Sequence, residues 1–321
     1  MAGALSLIYG FSHKLYKVEL VDLTFLKGMK NMSENKTFCV IGGDIRFNRL
    51  VNTLASNGNL VYAIGLKDSI DVSEYVRLEE IPKALKMADV VILPLPVSFD
   101  GVFVNASETI LLSDIFKLIA KKSIVLGGKV SKDVEKLANE YNVQIIDYLE
   151  REEMAVQNAV PTAEGAIEIA MREMSKTIFQ SKCLVTGYGR ISKVLTHILK
   201  SMGAKVDVCA RKYSDLSWAN IFGCGSFHIS QLAQKSYEYD VIFNTVPSLI
   251  IDEKILKTLD KTFIIDLASQ PGGVDFKMAE KLGVKTIWAL SLPGKVAPDT
   301  AGDIILNTVL NIIRERGEEN E

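Results

Sequence analysis

From Lys36 onward, apolar and polar positions alternate between two regimes. Short runs rich in β-branched residues are separated by longer stretches whose apolar residues recur every three to four positions. The runs at 38–42 (FCVIG), 60–65 (LVYAIG), 90–95 (VVILPL), 123–128 (SIVLGG) and 143–148 (VQIIDY) predict strands in the first half. A second series predicts strands at 183–187 (CLVTG), 205–210 (KVDVCA), 240–246 (DVIFNTV), 262–268 (TFIIDLA) and 284–290 (VKTIWAL). Continuous apolar strands with helical crossovers mean parallel sheets covered on both faces.

Between the two series lies NAVPTAEGAIEIAMREMSKTIFQ (158–180). Pro161 and Thr162 read as the start of a helix, and Ala166, Ile169, Ala170 and Met174 line one face of it. A last helix is expected from about residue 300 to 313, with Ile304, Ile305, Val309, Ile312 and Ile313 on its apolar face. The organisation expected is an N-terminal extension over 1–35, a first domain over 36–157, a connecting helix over 158–182, a second domain over 183–298, and a final helix and tail over 299–321. RERGEENE (314–321) reads as frayed, solvated chain. ALSLIYGF (4–11) is too short to span a bilayer and lacks the flanks of a secretory signal, and Met32 would be a natural start.

Composition narrows the function classes. The 321 residues are 48% hydrophobic and 24% charged, with a formal net charge of −2, which gives no electrostatic case for nucleic acid or an anionic membrane. The four cysteines form no CxxC pair, and three sit in strand-like runs, as buried thiols in a reducing cytoplasm do. His13, His197 and His228 are not spaced for a metal site, so no metal is expected.

The strongest chemical signal is TGYGRIS (186–192). Gly187 permits a tight turn, Gly189 lets a pyrophosphate approach the backbone, and amides at Arg190 and Ile191 open the next helix toward negative charge. Ser192 stands where a third glycine is common and is small enough for close packing. Ile191, Val194, Leu195, Ile198, Leu199 and Met202 keep one stripe, and Gly203 ends the helix. The turn follows a strand, opens a helix and precedes a second strand, the context a dinucleotide site requires. The fold class expected is therefore α/β: two Rossmann-like doubly wound domains joined by a helix, with a cleft between them.

The strand after that helix ends on Arg211 and Lys212, 24 and 25 residues after Gly187. An acid there would grip ribose hydroxyls and repel a 2′-phosphate, whereas a guanidinium offers a planar donor fork. This favours NADP(H), with NAD(H) possible. Asn244, Thr245 and Pro247 in FNTVP, and Gly272 and Gly273 in DLASQPGG, follow later strands and are candidates to border the nicotinamide end.

With these motifs in hand, the chain resembles a known family: the A component of dipicolinate synthase from spore-forming bacteria. The likeness is carried by VIGGDIR (40–46), NAVPTAEGAI (158–167), TGYGRI (186–191), GAKVDVCARK (203–212), FNTVPSLI (243–250), IIDLASQPGGVDF (264–276) and LPGKVAPDTAG (292–302). Together they span nearly all of residues 36–313. The resemblance implies oxidation of dihydrodipicolinate to dipicolinate during sporulation, the flavoprotein B component of dipicolinate synthase as partner, and the mother-cell cytoplasm as location. Residues 1–33 have no counterpart in the family pattern.

A dihydropyridine dicarboxylate loses a hydride and a proton to become aromatic, so the protein need only align the ring, hold two carboxylates and take one proton. Arg46, Lys129, Thr162 and Lys295 are the candidates for the carboxylates, and Lys129, Glu164 and Lys295 for the proton. His197 and His228 lack the carboxylate partner that hydroxy-acid dehydrogenases use. The other readings are an NADP-dependent amino- or oxo-acid dehydrogenase and a non-catalytic NADP-binding component. The long apolar helices further imply buried surface in a homo-oligomer or in the complex with the flavoprotein.

Overall fold

Each half of the chain builds a six-stranded sheet in which every pairing is parallel. The structure, a computed structural model, describes residues 36–67, 76–77 and 81–318. The extension expected over 1–35 lies outside the described residues.

The first unit runs β1 (Thr37–Ile41), α1 (Ile45–Ser56), β2 (Leu60–Ile64), β3 (Val76–Arg77), α2 (Ile81–Met87), β4 (Val90–Ile92), α3 (Leu112–Leu118), β5 (Ile124–Gly127), α4 (Lys132–Glu140) and β6 (Ile145–Asp147). A long helix, α5 (Glu152–Glu173), leads into the second unit. That unit runs β7 (Lys182–Thr186), α6 (Arg190–Ser201), β8 (Lys205–Ala210), α7 (Tyr213–Ile221), β9 (Gly225–His228), β10 (Val241–Asn244), β11 (Phe263–Asp266), α8 (Phe276–Leu282) and β12 (Thr286–Trp288). A short helix, α9 (Leu292–Val296), and a long one, α10 (Pro298–Glu318), close the chain.

The orders β3-β2-β1-β4-β5-β6 and β9-β8-β7-β10-β11-β12 are the same doubly wound arrangement twice. In each, the winding direction reverses beside the first strand, between β1 and β4 and between β7 and β10, where such sheets place their ligands. The central strands are apolar up to their last residues because helices cover both faces: Val40, Ile92, Val185 and Phe243 are all fully buried.

Three features depart from the pattern of the sequence. Two edge strands, β3 and β9, escape the apolar signal; the first is two residues long and the second, GSFH, carries one large apolar side chain. The connecting helix starts at Glu152, so Pro161 lies inside it. Proline removes one ladder donor and normally marks a helix start, but a helix this well packed tolerates it. The tail is helical to Glu318, held by Arg151, which donates to both Glu315 oxygens at 2.6 and 2.8 Å and lowers the pKa of that carboxyl.

The last helix does not return to the unit that precedes it. Ile304, Ile305, Leu306, Val309, Ile312 and Ile313 belong to the same core as Phe47, Leu50, Val51 and Leu54 of α1. The chain thus crosses between units twice, once through α5 and once through α9. Gly302 permits the second docking: a Cβ there would sit 2.4 Å from the Arg46 carbonyl oxygen.

Candidate functional site

The second unit's glycine turn is open. Gly187 has φ +83, and a Cβ on it would meet Thr245 Oγ1 at 2.7 Å, so only glycine fits. Its amide donates to the Cys209 carbonyl at 2.8 Å, tying the turn to β8. A Cβ on Gly189 would meet nothing within 4 Å. Gly189 caps α6 without a side chain, and the amides of Arg190, Ile191 and Ser192 have no acceptor among the described residues. A twelve-residue helix therefore points unsatisfied donors and its positive end into free space. Ser192 is buried; since the Thr245 hydroxyl proton goes to the Thr186 carbonyl at 2.7 Å, Ser192 Oγ donates to Thr245 Oγ1 at 2.8 Å.

Beneath the turn, three strand ends are cross-tied by buried side chains. Thr186, Asn244 and Asp266 are paired in register across β7, β10 and β11. Thr186 Oγ1 donates to Asn244 Oδ1 at 2.6 Å, and Asn244 Nδ2 donates to Asp266 Oδ1 at 2.7 Å. Asp266 also accepts from the Ala268 and Gly273 amides at 3.0 and 2.8 Å. The Asn244 amide is completed by Val246 N–H and Val246 carbonyl, both at 3.1 Å. Asn244 is thus saturated and shapes the NTVP turn from below, while Thr245 is half-buried and Pro247 exposed above it. Gly272 and Gly273 are buried: Cβ atoms there would press on Asp266 Oδ2 at 3.0 Å and Asn244 Nδ2 at 2.3 Å. Their small size serves the hydrogen-bonded support. Thr186 and Asp266 went unread in the sequence, although TG, FN and ID each end an apolar run on a polar residue.

At the end of β8, Arg211 and Lys212 are exposed, and their side chains have no hydrogen bond or ion pair among the described residues. Arg190, beside the open turn, reaches back to Glu152 of α5 at 3.1 Å in a largely exposed pair.

The corresponding turn of the first unit is filled by its own chain. The Asn105 carbonyl accepts from Gly43 N–H at 2.9 Å, and a Cβ on Gly42 would collide with it at 2.6 Å. Lys67 Nζ holds the Asn105 side chain at 2.7 Å. Asp44 caps α1 and is gripped by Arg46 through two 2.8 Å bonds, so a carboxylate already occupies that helix end. Arg46 donates a third bond to the Leu95 carbonyl at 2.9 Å, and its side chain is 14% exposed. Gly294 of α9 lies against it; a Cβ there would be 3.2 Å from Arg46 Cδ. The LPGK segment thereby comes to Arg46, with Lys295 exposed on the same short helix.

Lys129 adopts φ +55, with its amide and that of Val130 bound to Asp147 at 3.0 and 2.7 Å. Its side chain is exposed. Tyr148, fully buried below Gly128, donates to the Leu93 carbonyl at 3.1 Å, and burial raises its phenol well above the usual range. Thr162 is mid-helix and donates to the Asn158 carbonyl at 2.7 Å, so it is not a cap. Glu164, likewise away from a helix start, is exposed on a groove between α5 and α6. His197 is exposed on α6, and His228 bonds Ser230 and stacks on Tyr213. Burial pushes the Cys39, Cys183 and Cys209 thiols up to about 12, which removes them from thiolate chemistry. No helix among the described residues is long and apolar enough to cross a membrane.

Two doubly wound parallel units, one with an open glycine turn at its reversal point, define the Rossmann-type fold of the dehydrogenases. A transhydrogenase from Sinorhizobium meliloti shares this fold at a TM-score of 0.65 and 14% identity, over 86% of this chain and 94% of that one. The chain belongs to the family of the dipicolinate synthase A component. It is 32% identical to that component from Bacillus subtilis (strain 168), over 86% of this chain and 95% of that protein. The solved structure of the Bacillus subtilis protein superposes with a TM-score of 0.82 at 31% identity, over 90% and 99% of the two chains. Its counterpart from Bacillus halodurans gives 0.80 at 31%, over 86% and 97%. Residues 37–149 match the model of the N-terminal domain of the dipicolinate synthase A component.

Proposed function

We propose that this chain oxidises dihydrodipicolinate to dipicolinate with NADP(H), beside the flavoprotein B component of dipicolinate synthase, in the cytoplasm of a sporulating mother cell. One observation carries the cofactor part: of two equivalent glycine turns, the first is plugged by Asn105 and Asp44, and the second is open, uncapped and lined by free amides. The open turn fits a pyrophosphate, and Arg211 and Lys212 at the end of β8 fit a 2′-phosphate. When bound, the nicotinamide takes up the hydride. The residues of this chain then have three tasks. Thr245, Pro247 and the backbone around Gly272 and Gly273 border the ring end of the crevice. Lys129 and Lys295, cations with no ion-pair partner among the described residues, hold the substrate carboxylates, and the departing proton passes to solvent. Arg46, already paired with Asp44, steadies α9 and so places Lys295.

The direct test is turnover of dihydrodipicolinate by the full chain, alone and with its flavoprotein partner, with each cofactor omitted in turn. Pyridine-2,6-dicarboxylate should form only with the nicotinamide cofactor present. Formation that ignores its omission would overturn the reading.

Cofactor choice is tested at Arg211. Arg211→Ala is expected to weaken NADP(H) binding about 10- to 100-fold, since a hydrogen bond to a charged group contributes roughly 1.5–3 kcal/mol. NAD(H) binding should stay nearly unchanged in calorimetric titration. Equal losses for both cofactors would assign Arg211 to the turn and not to the phosphate.

A further inference from the structure

Helices α5, α6 and α7 form one layer over the second sheet: Ala166, Leu195 and Leu216, one from each, share a single core. The outer surface of that layer is not built for water. On α7 and its C-terminal cap, Trp218, Ile221 and Phe222 lie at helical spacing on one stripe and are 52%, 70% and 59% exposed. Trp218 and Phe222 stack at 5.9 Å, so the stripe is preassembled. On the far side of α6 a groove of about 580 Å³ runs against α5, floored by Ile167, Met171, Ile198 and Met202. Scattered exposed apolar residues are ordinary, but a contiguous aromatic stripe beside an apolar groove marks an interface.

The charges say what fits. A second groove of about 470 Å³, between α6 and the Phe222 loop, is edged by Lys193, His197 and Lys200 and by no acid. The α5–α6 groove is edged by Glu164, which has no ion pair among the described residues, and by Glu168, which is paired with Arg172. The layer thus carries a basic groove and an acidic groove on opposite sides of α6. A two-fold axis running along α6 sets α7 of one copy over α5 of the other. That single operation brings each basic groove to an acidic one and each aromatic stripe to an apolar groove, the self-complementarity of an isologous contact.

We infer that the chain forms a two-fold dimer through the outer face of α5, α6 and α7, with Trp218, Ile221 and Phe222 of one protomer seated in the α5–α6 groove of its partner. This surface lies on the helical layer and is independent of the proposed substrate. The experiment is size-exclusion chromatography with light scattering on the full chain over a wide concentration range. A dimer is expected. Ile221→Asp with Phe222→Asp should weaken it at least about 100-fold, the scale of losing interface anchors, with circular dichroism unchanged. Lys193→Glu with His197→Glu, both surface changes, should also weaken it. Adding Glu164→Lys and Glu168→Lys to that variant should restore the dimer. A wild-type monomer at every concentration would overturn the inference, as would a dimer indifferent to the apolar changes. Charge reversal without rescue would overturn the two-fold pairing.

Discussion

Asp266→Ala is expected to destabilise the second unit by about 3–5 kcal/mol, because each buried donor left unsatisfied costs roughly 1–3 kcal/mol. Three donors lose their acceptor at once: Asn244 Nδ2 and the Ala268 and Gly273 amides, all sealed from water. Nothing nearby replaces it: Thr186 is committed to Asn244, and the Trp288 indole, which donates to the Ala268 carbonyl at 2.9 Å, offers no acceptor. Asp266→Asn keeps the shape but presents an amino group to at least one of these donors, so it should recover only part of the loss. Chemical denaturation read through tryptophan fluorescence would report it, since Trp218 and Trp288 both lie in the second unit. A loss under about 1 kcal/mol would show that the strand ends hold their geometry without this carboxylate.

Gly189→Ala should do the opposite, leaving the fold in place and removing the ligand. The Cβ meets no protein atom within 4 Å, and φ is −87, open to any residue. Alanine as a helix cap costs roughly 1 kcal/mol or less relative to glycine. The methyl group, however, stands where a pyrophosphate would meet the α6 amides. Losing two charge-assisted hydrogen bonds predicts a fall in NADP(H) affinity of at least about 100-fold. Thermal unfolding and calorimetric titration on the same sample separate the two effects. Unimpaired binding would move the cofactor away from this turn.

Much of the architecture was legible because buried parallel strands are apolar on both faces and read as unbroken runs. β7 and β10 were visible for this reason, and the turn after β7 carried the glycine spacing that a close backbone approach demands. Edge strands contact one neighbour and need no such run, so β9 passed unread. Other features depend on contacts distant in sequence. Nothing in VIGGD says that Asn105 will fill the turn, since that loop returns from beyond α2 and β4. Likewise FN and ID look like ordinary strand ends until register sets Asn244 beside Asp266. Pro161 misled for a local reason: the residues before it, EEMAVQNAV, are helical by pattern, yet proline outweighs them unless tertiary packing is known.

The docking of α10 on α1 bears on the order in which the nascent chain acquires structure. The second unit has its full set of strands once β12 has left the ribosome. The first unit, though translated earlier, still lacks one wall, because Ile305, Val309 and Ile312 follow the whole second unit along the chain. Phe47, Leu50 and Val51 on α1 therefore wait for α10 to be covered. The usual sequence, in which N-terminal domains mature first, is inverted here. The first half is left unfinished while the second is translated, and the emergence of α10 is the event that lets it close.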